Sequence, residues 1–158
     1  MKLEIENKLK ILRGLPLTNA GRAGGMAWLH FGKLSAVKSL NGSEKIIGEY
    51  ALHIQCSWKL IRVSAGMFTP SCDSTEIVAN SYNLSRDAER IIDTIKGEIS
   101  VLSVEADSKG NLKIIFTENY LLELLADGMD DSNEIEYWRF FIPNNPSPHF
   151  VVTNNGIE

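Results

Sequence analysis

The stretch Gly48–Val63, GEYALHIQCSWKLIRV, decides how the rest of the chain is read. Tyr50, Leu52, Ile54, Cys56, Trp58 and Leu60 are apolar, and they alternate with Glu49, Ala51, His53, Gln55, Ser57 and Lys59, which are mostly polar. Successive side chains of a strand point to opposite faces, whereas a helix would scatter these apolar residues around its circumference. The stretch therefore reads as one long strand with a dry face and a wet face.

Working outward toward the N-terminus, a strand is expected from about Gly25 to Lys33, pairing antiparallel with the long one. Met26, Trp28 and His30 share one of its faces, and Ala27, Leu29 and Phe31 share the other. Both faces are largely apolar, which places this strand centrally, covered on both sides. Asn41-Gly42, in the connection between the two, is a turn signal. The preceding LTNAGRAGG, residues 17–25, reads as a bend or bulge. Its glycines lack the spacing of a phosphate-binding loop, and a strand follows them where such a loop needs a helix. Residues 2–13 read as an amphipathic helix with Ile5, Leu9 and Leu12 on one face, Glu4–Lys8 and Glu6–Lys10 as spaced ion pairs, and Gly14 and Pro16 as stop signals.

Toward the C-terminus, residues 64–84 carry Gly66, Pro70 and Asp73 and read as a loop. Ser85 is placed to cap a helix over 86–97, where Ala88, Ile91, Ile92 and Ile95 have the spacing of a helix lying on a sheet. A meander follows, with strands at 99–106, 112–117 and 120–125 and turns at Ser108–Asn111 and Glu118-Asn119. An acidic loop at 127–136 leads to the strand YWRFFI at 137–142. A connection with three prolines then precedes a short edge strand at 149–153.

The chain of 158 residues is long enough for one domain with its own core, and its 44% hydrophobic and 23% charged residues are ordinary globular usage. The fold class that follows is α+β: a largely antiparallel sheet of about six to seven strands with two packed helices. The net charge of −4 offers no general attraction to nucleic acid or to anionic lipid, and no run of residues is long enough to span a bilayer. MKLEIENKLK mixes Glu and Lys among its apolar residues, unlike a secretory signal, so Cys56 and Cys72 are expected as reduced thiols in a cytoplasm.

The side chains that could carry chemistry are few. His30, His53, His149, Cys56 and Cys72 show neither C-x-x-C nor H-x-x-x-H spacing, so no metal and no cofactor is expected. No G-x-S-x-G occurs, and Cys72 has no visible activating partner, so no catalytic residue is named. Two groups remain as candidates. One is a ligand-binding set on the wet strand faces: His53, Gln55 and Lys59, with Arg139 standing between Tyr137 and Phe141. The other is the acidic loop, where Asp127, Asp130, Asp131 and Glu134 offer a surface to a basic protein partner.

At GEYALHIQCSWKL (48–60), VEADSKGNLKIIF (104–116), EYWRFF (136–141) and PHFVVTNNG (148–156), the chain resembles a group of small bacterial proteins of unknown function in which similar blocks occur in similar order. The resemblance implies kinship over most of the chain and supplies no catalytic residue. By size and charge the chain is also similar to acidic α+β proteins of bacterial toxin–immunity systems, an analogy at the level of fold class. Three expectations follow: a non-catalytic binding or interaction protein, immunity-like in character; a small-molecule binder or enzyme using His53, Gln55 and Arg139; and a homo-oligomer pairing through strand edges or the first helix.

Overall fold

The computed structural model describes residues 1–63, 75–81, 86–127 and 134–158. In chain order its elements are helix α1 (Lys2–Leu9), extended by a 3-10 turn at Lys10–Leu12, then strands β1 (Leu17–Ala23), β2 (Met26–Phe31), β3 (Ser35–Lys38), β4 (Glu44–Ile47), β5 (Tyr50–Ile54), β6 (Ser57–Val63) and β7 (Thr75–Asn80). Helix α2 (Arg86–Ile95) follows, and then β8 (Val101–Ala106), β9 (Leu112–Phe116), β10 (Tyr120–Leu125), β11 (Glu136–Phe141), β12 (Phe150–Thr153) and β13 (Gly156–Ile157).

The stretch 48–63 forms two strands, β5 and β6, interrupted at Gln55-Cys56, and it serves two sheets instead of one. Its break has a local cause. The N–H groups of Gln55 and Cys56 both donate to the carbonyl of Tyr137, at 2.9 and 3.0 Å. Two successive donors on one acceptor mark a β-bulge, which bends a strand sharply. Before the bend, β5 lies in a six-stranded sheet ordered β1-β2-β5-β11-β12-β13; after it, β6 lies in a five-stranded sheet ordered β7-β6-β10-β9-β8. Every strand pairing is antiparallel. The α+β class and the size of the first sheet are as expected, and the second sheet is what the bend adds.

The expected every-second rhythm survives the bend. Leu52, Ile54, Cys56, Trp58 and Leu60 are all buried. They join one core with Phe31, Trp138 and Phe140 from the first sheet and Leu112, Ile114, Phe116 and Leu122 from the second. Two contacts lock the sheets face to face. The rings of Phe31 and Phe116 stack with centroids 6.5 Å apart. The indole Nε1 of Trp138 donates to the carbonyl of Gly110, in the β8–β9 turn, at 2.9 Å.

The helices cover openings between the sheets. On α1 and its 3-10 extension, Ile5, Leu9 and Leu12 are fully buried, as their spacing requires. The Glu6 carboxylate accepts the N–H of Ala106 on β8 at 3.1 Å, and the Lys8 ammonium lies 5.8 Å from the Phe150 ring on β12, so α1 reaches from one sheet to the other. Glu6 pairs with Lys2 at 3.9 Å, through the same oxygen that accepts the Ala106 N–H, and not with Lys10, which lies in the 3-10 turn. On α2, Ile95 is buried, with Ile91 and Ile92 packed beside it. The N–H of Gly97, just after α2, donates to the carbonyl of Leu17 on β1.

The main departure lies at residues 17–25. What the glycines suggest as a bend is strand β1, joined to β2 by a two-residue turn at Gly24-Gly25. Gly24 has φ +61°, a backbone angle that suits glycine and a tight hairpin. The β9–β10 hairpin does the same with Glu118 and Asn119, both at positive φ. Strand β7 occupies residues 75–80 of the expected loop; Ser85 and residues 64–74 lie outside the described residues. No helix among the described residues is long and apolar enough to cross a membrane.

Replacing Trp138 with Phe removes the bond to Gly110 and leaves a buried carbonyl unpaired. A loss of about 1–3 kcal/mol is expected in urea unfolding; an unchanged midpoint would show that this bond does not tie the sheets.

Candidate functional site

The register of the first sheet places its outward side chains in rows. Trp28 on β2 lies opposite His53 on β5, and His53 lies opposite Arg139 on β11. In the next row His30 lies opposite Ala51, and Ala51 opposite Phe141. His149, just before β12, stacks on the Phe141 ring at 4.3 Å, and the His53 ring meets Phe141 edge-on at 4.7 Å. All three histidines of the chain thus share one sheet face with Arg139. His53, Gln55 and Arg139 lie together on this face. Lys59 does not join them, because the bend at 55–56 carries it to the second sheet.

The electrostatics of this face are nearly self-contained. Arg139 grips Glu136 with two bonds, Nε to Oε1 at 2.6 Å and Nη2 to Oε2. Its Nη1 lies 3.4 Å from His149 Nδ1. These bonds from Arg139, with one from the Gln55 side chain, hold the Glu136 carboxyl below its usual range. Burial, and then the Arg139 charge, push His53 down. His30 is pushed down by burial first, then by His53 and Lys45. It is almost fully buried, and its Nδ1 accepts the N–H of Gly48 at 3.3 Å. A Cβ on Gly48 would lie 2.8 Å from His30 Cβ, so only glycine lets the chain pass this close. The face therefore carries imidazoles biased toward neutrality, a neutralised guanidinium and aromatic rings.

Lys59 belongs instead to a ladder of charge across the second sheet. Cross-strand register aligns Asn80, Lys59, Glu123, Lys113 and Glu105 in one row. Glu123 bridges Lys59 at 2.8 Å and Lys113 at 3.1 Å. Burial alone would raise the Glu123 carboxyl, but the bonds from the two lysines outweigh it and hold the group low. This row is committed to pairing β6, β10 and β9.

The acidic loop is divided. The Asp127 carboxylate accepts the N–H of Ser57 at 3.1 Å and so holds the start of β6. Glu134 is exposed, and a hydrogen bond with its side chain, followed by its charge, raises the Glu158 carboxyl. Asp130, Asp131 and Cys72 lie outside the described residues. The buried Cys56 thiol is pushed up to about 12 by burial and then by Asp127. It is a thiol at neutral pH and a poor nucleophile. Among the described residues, no three His, Cys, Asp or Glu side chains converge as metal ligands.

A second feature escaped the sequence altogether. Between the sheets, beside α2, lies a cavity of about 460 Å³. Its walls are Leu29, Trp58, Leu60, Phe116, Leu122 and Ile92, and its rim carries Arg22, Glu89, Asp93 and Lys96. The wall residues read as ordinary core, since nothing in their spacing says that they stop short of one another. The Gly24-Gly25 dipeptide, read as a hairpin turn, would have revealed β1 and placed Arg22 opposite Ala27. Compared with family models, with curated proteins and with solved structures, the chain matches none.

His30 and His53 are both held toward the neutral form in the fold, so the unfolded chain binds more protons than the native one as acid is added. Their contribution is complete above pH ~6.5 and is lost as pH falls through and below that value. The melting temperature is expected to drop between about pH 7.5 and about pH 5.5, and to drop less in His30→Asn, whose amide oxygen keeps an acceptor for Gly48 without titrating. Equal drops in the two proteins would remove His30 from this role.

Proposed function

We propose that this is a non-catalytic binding protein whose ligand is a small, largely apolar molecule held in the cavity between the two sheets. The observation that carries the reading is the cavity itself. It is a cleft that opens beside α2, and clefts between packed layers are where small-molecule sites form. A volume of about 460 Å³ with apolar and aromatic walls is of the size that ligand sites occupy. The non-catalytic part rests on the titratable groups. Cys56 is held as a thiol, Glu136 is held ionised by Arg139, and His53 lies on the outward face of the first sheet, away from the cavity.

Binding of a neutral solvatochromic dye, Nile red, tests this. Saturable one-to-one binding with enhanced emission is expected for the wild type. Ala20→Leu and Ala27→Leu, each of which fills part of the cavity, should weaken it by about tenfold or more while the far-UV spectrum stays unchanged. Absence of saturable binding, or equal binding by the folded filled variants, overturns the reading.

A second reading, an interaction protein presenting the outer face of the first sheet, draws on the convergence of His53, Gln55, Arg139 and His149 there. Arg139 is already neutralised by Glu136, so the face suits a polar or aromatic partner surface better than a strongly charged one. A partner recovered by the wild type and lost with His53→Ala supports it; equal recovery counts against it.

A further inference from the structure

The charges at the cavity rim are not equivalent. Asp93 in the last turn of α2 and Lys96, just after the helix, are paired at 2.7 Å and neutralise each other. Glu89 is exposed on the same helix. Arg22 is exposed as well, at the mouth of the cavity, but its row in the sheet sets it apart. On β1 the residues opposite the inward Phe31, Leu29 and Ala27 are Leu17, Ala20 and Arg22. Cross-strand partners share a face, so Arg22 stands in the inward row of a strand whose other inward residues are apolar. It lines the cavity, and it makes no ion pair among the described residues.

A guanidinium at the open end of an apolar chamber has a clear chemical complement. It offers planar, paired N–H donors, which match a carboxylate best. We propose that the ligand is an amphiphile, an apolar chain or ring system with one carboxylate, lying with its body between the sheets and its carboxylate on Arg22. This rests on the cavity reading above and adds the ligand's class and its orientation. The competing account of Arg22 is that an inward charge on an edge strand discourages pairing with another chain. That role asks nothing of a ligand's charge, and Glu89 on the rim would favour a cationic head instead.

The test uses three probes of equal chain length, decanoate, decanol and decylamine, each displacing Nile red from the full chain. Decanoate is expected to bind about tenfold more tightly than decanol, as a charge-assisted bond allows. In Arg22→Gln that advantage should vanish while decanol binding is unchanged, and in Arg22→Lys part of it should return. If decanol matches decanoate, if decylamine binds best, or if Arg22→Gln keeps the preference for the acid, the carboxylate assignment is overturned and the cavity reading stands. If the dye and all three probes fail to bind, both fall together.

Discussion

Two amide groups on one carbonyl hold this architecture together. Where Gln55 and Cys56 both donate to Tyr137, a single extended run turns a corner and passes from one sheet to the other. Corners of this kind are how strands switch sheets in packed β structures. The bend lets Leu52 and Ile54 face the core from one side and Trp58 and Leu60 face it from the other. Without it, the same alternation would produce one long sheet with nothing to cover its apolar face. The Trp138 indole then ties β11, which carries the accepting carbonyl of Tyr137, to the far sheet at Gly110.

The same corner sorts the polar residues. His53, before it, faces outward among Trp28, Arg139, Phe141 and His149; Lys59, after it, faces outward among Glu123 and Lys113. One outer face is aromatic and near neutrality, because burial and Arg139 disfavour the imidazolium and Glu136 cancels the guanidinium. The other is a ladder of opposite charges in register. Partly exposed ion pairs contribute little each, but a carboxylate shared by two lysines fixes register across three strands. The proposed binding reading rests on the space between the sheets, where α2 and β1 leave an apolar chamber with Arg22 at its mouth.

Much of this was legible along the chain, because it depends on short-range rules. Side-chain alternation in 48–60, the spacing of Ile5, Leu9 and Leu12, and the faces of Leu112, Ile114 and Phe116 follow from backbone geometry and the drive to bury apolar surface. So did the turns at Asn41-Gly42 and Glu118-Asn119. Strand β1 was hidden for a local reason as well: LTNAGRA has few β-formers, and it is held by its pairing with β2 more than by propensity.

The sequence by itself determined the alternation of the long run and the apolar faces of the helices and of the meander, and hence the α+β class and much of the core. Only the tertiary structure decided where the long run bends, which side chains from distant strands share a row, and how far apart the two sheets stand. The bend needs the carbonyl of Tyr137, contributed from far along the chain. The chamber exists because Leu29, Trp58 and Phe116, each an ordinary core residue in its own segment, come from three strands whose spacing α2 and β1 set. A void is a property of the assembled packing and of no segment within it, so no reading of residue types in order could have found it.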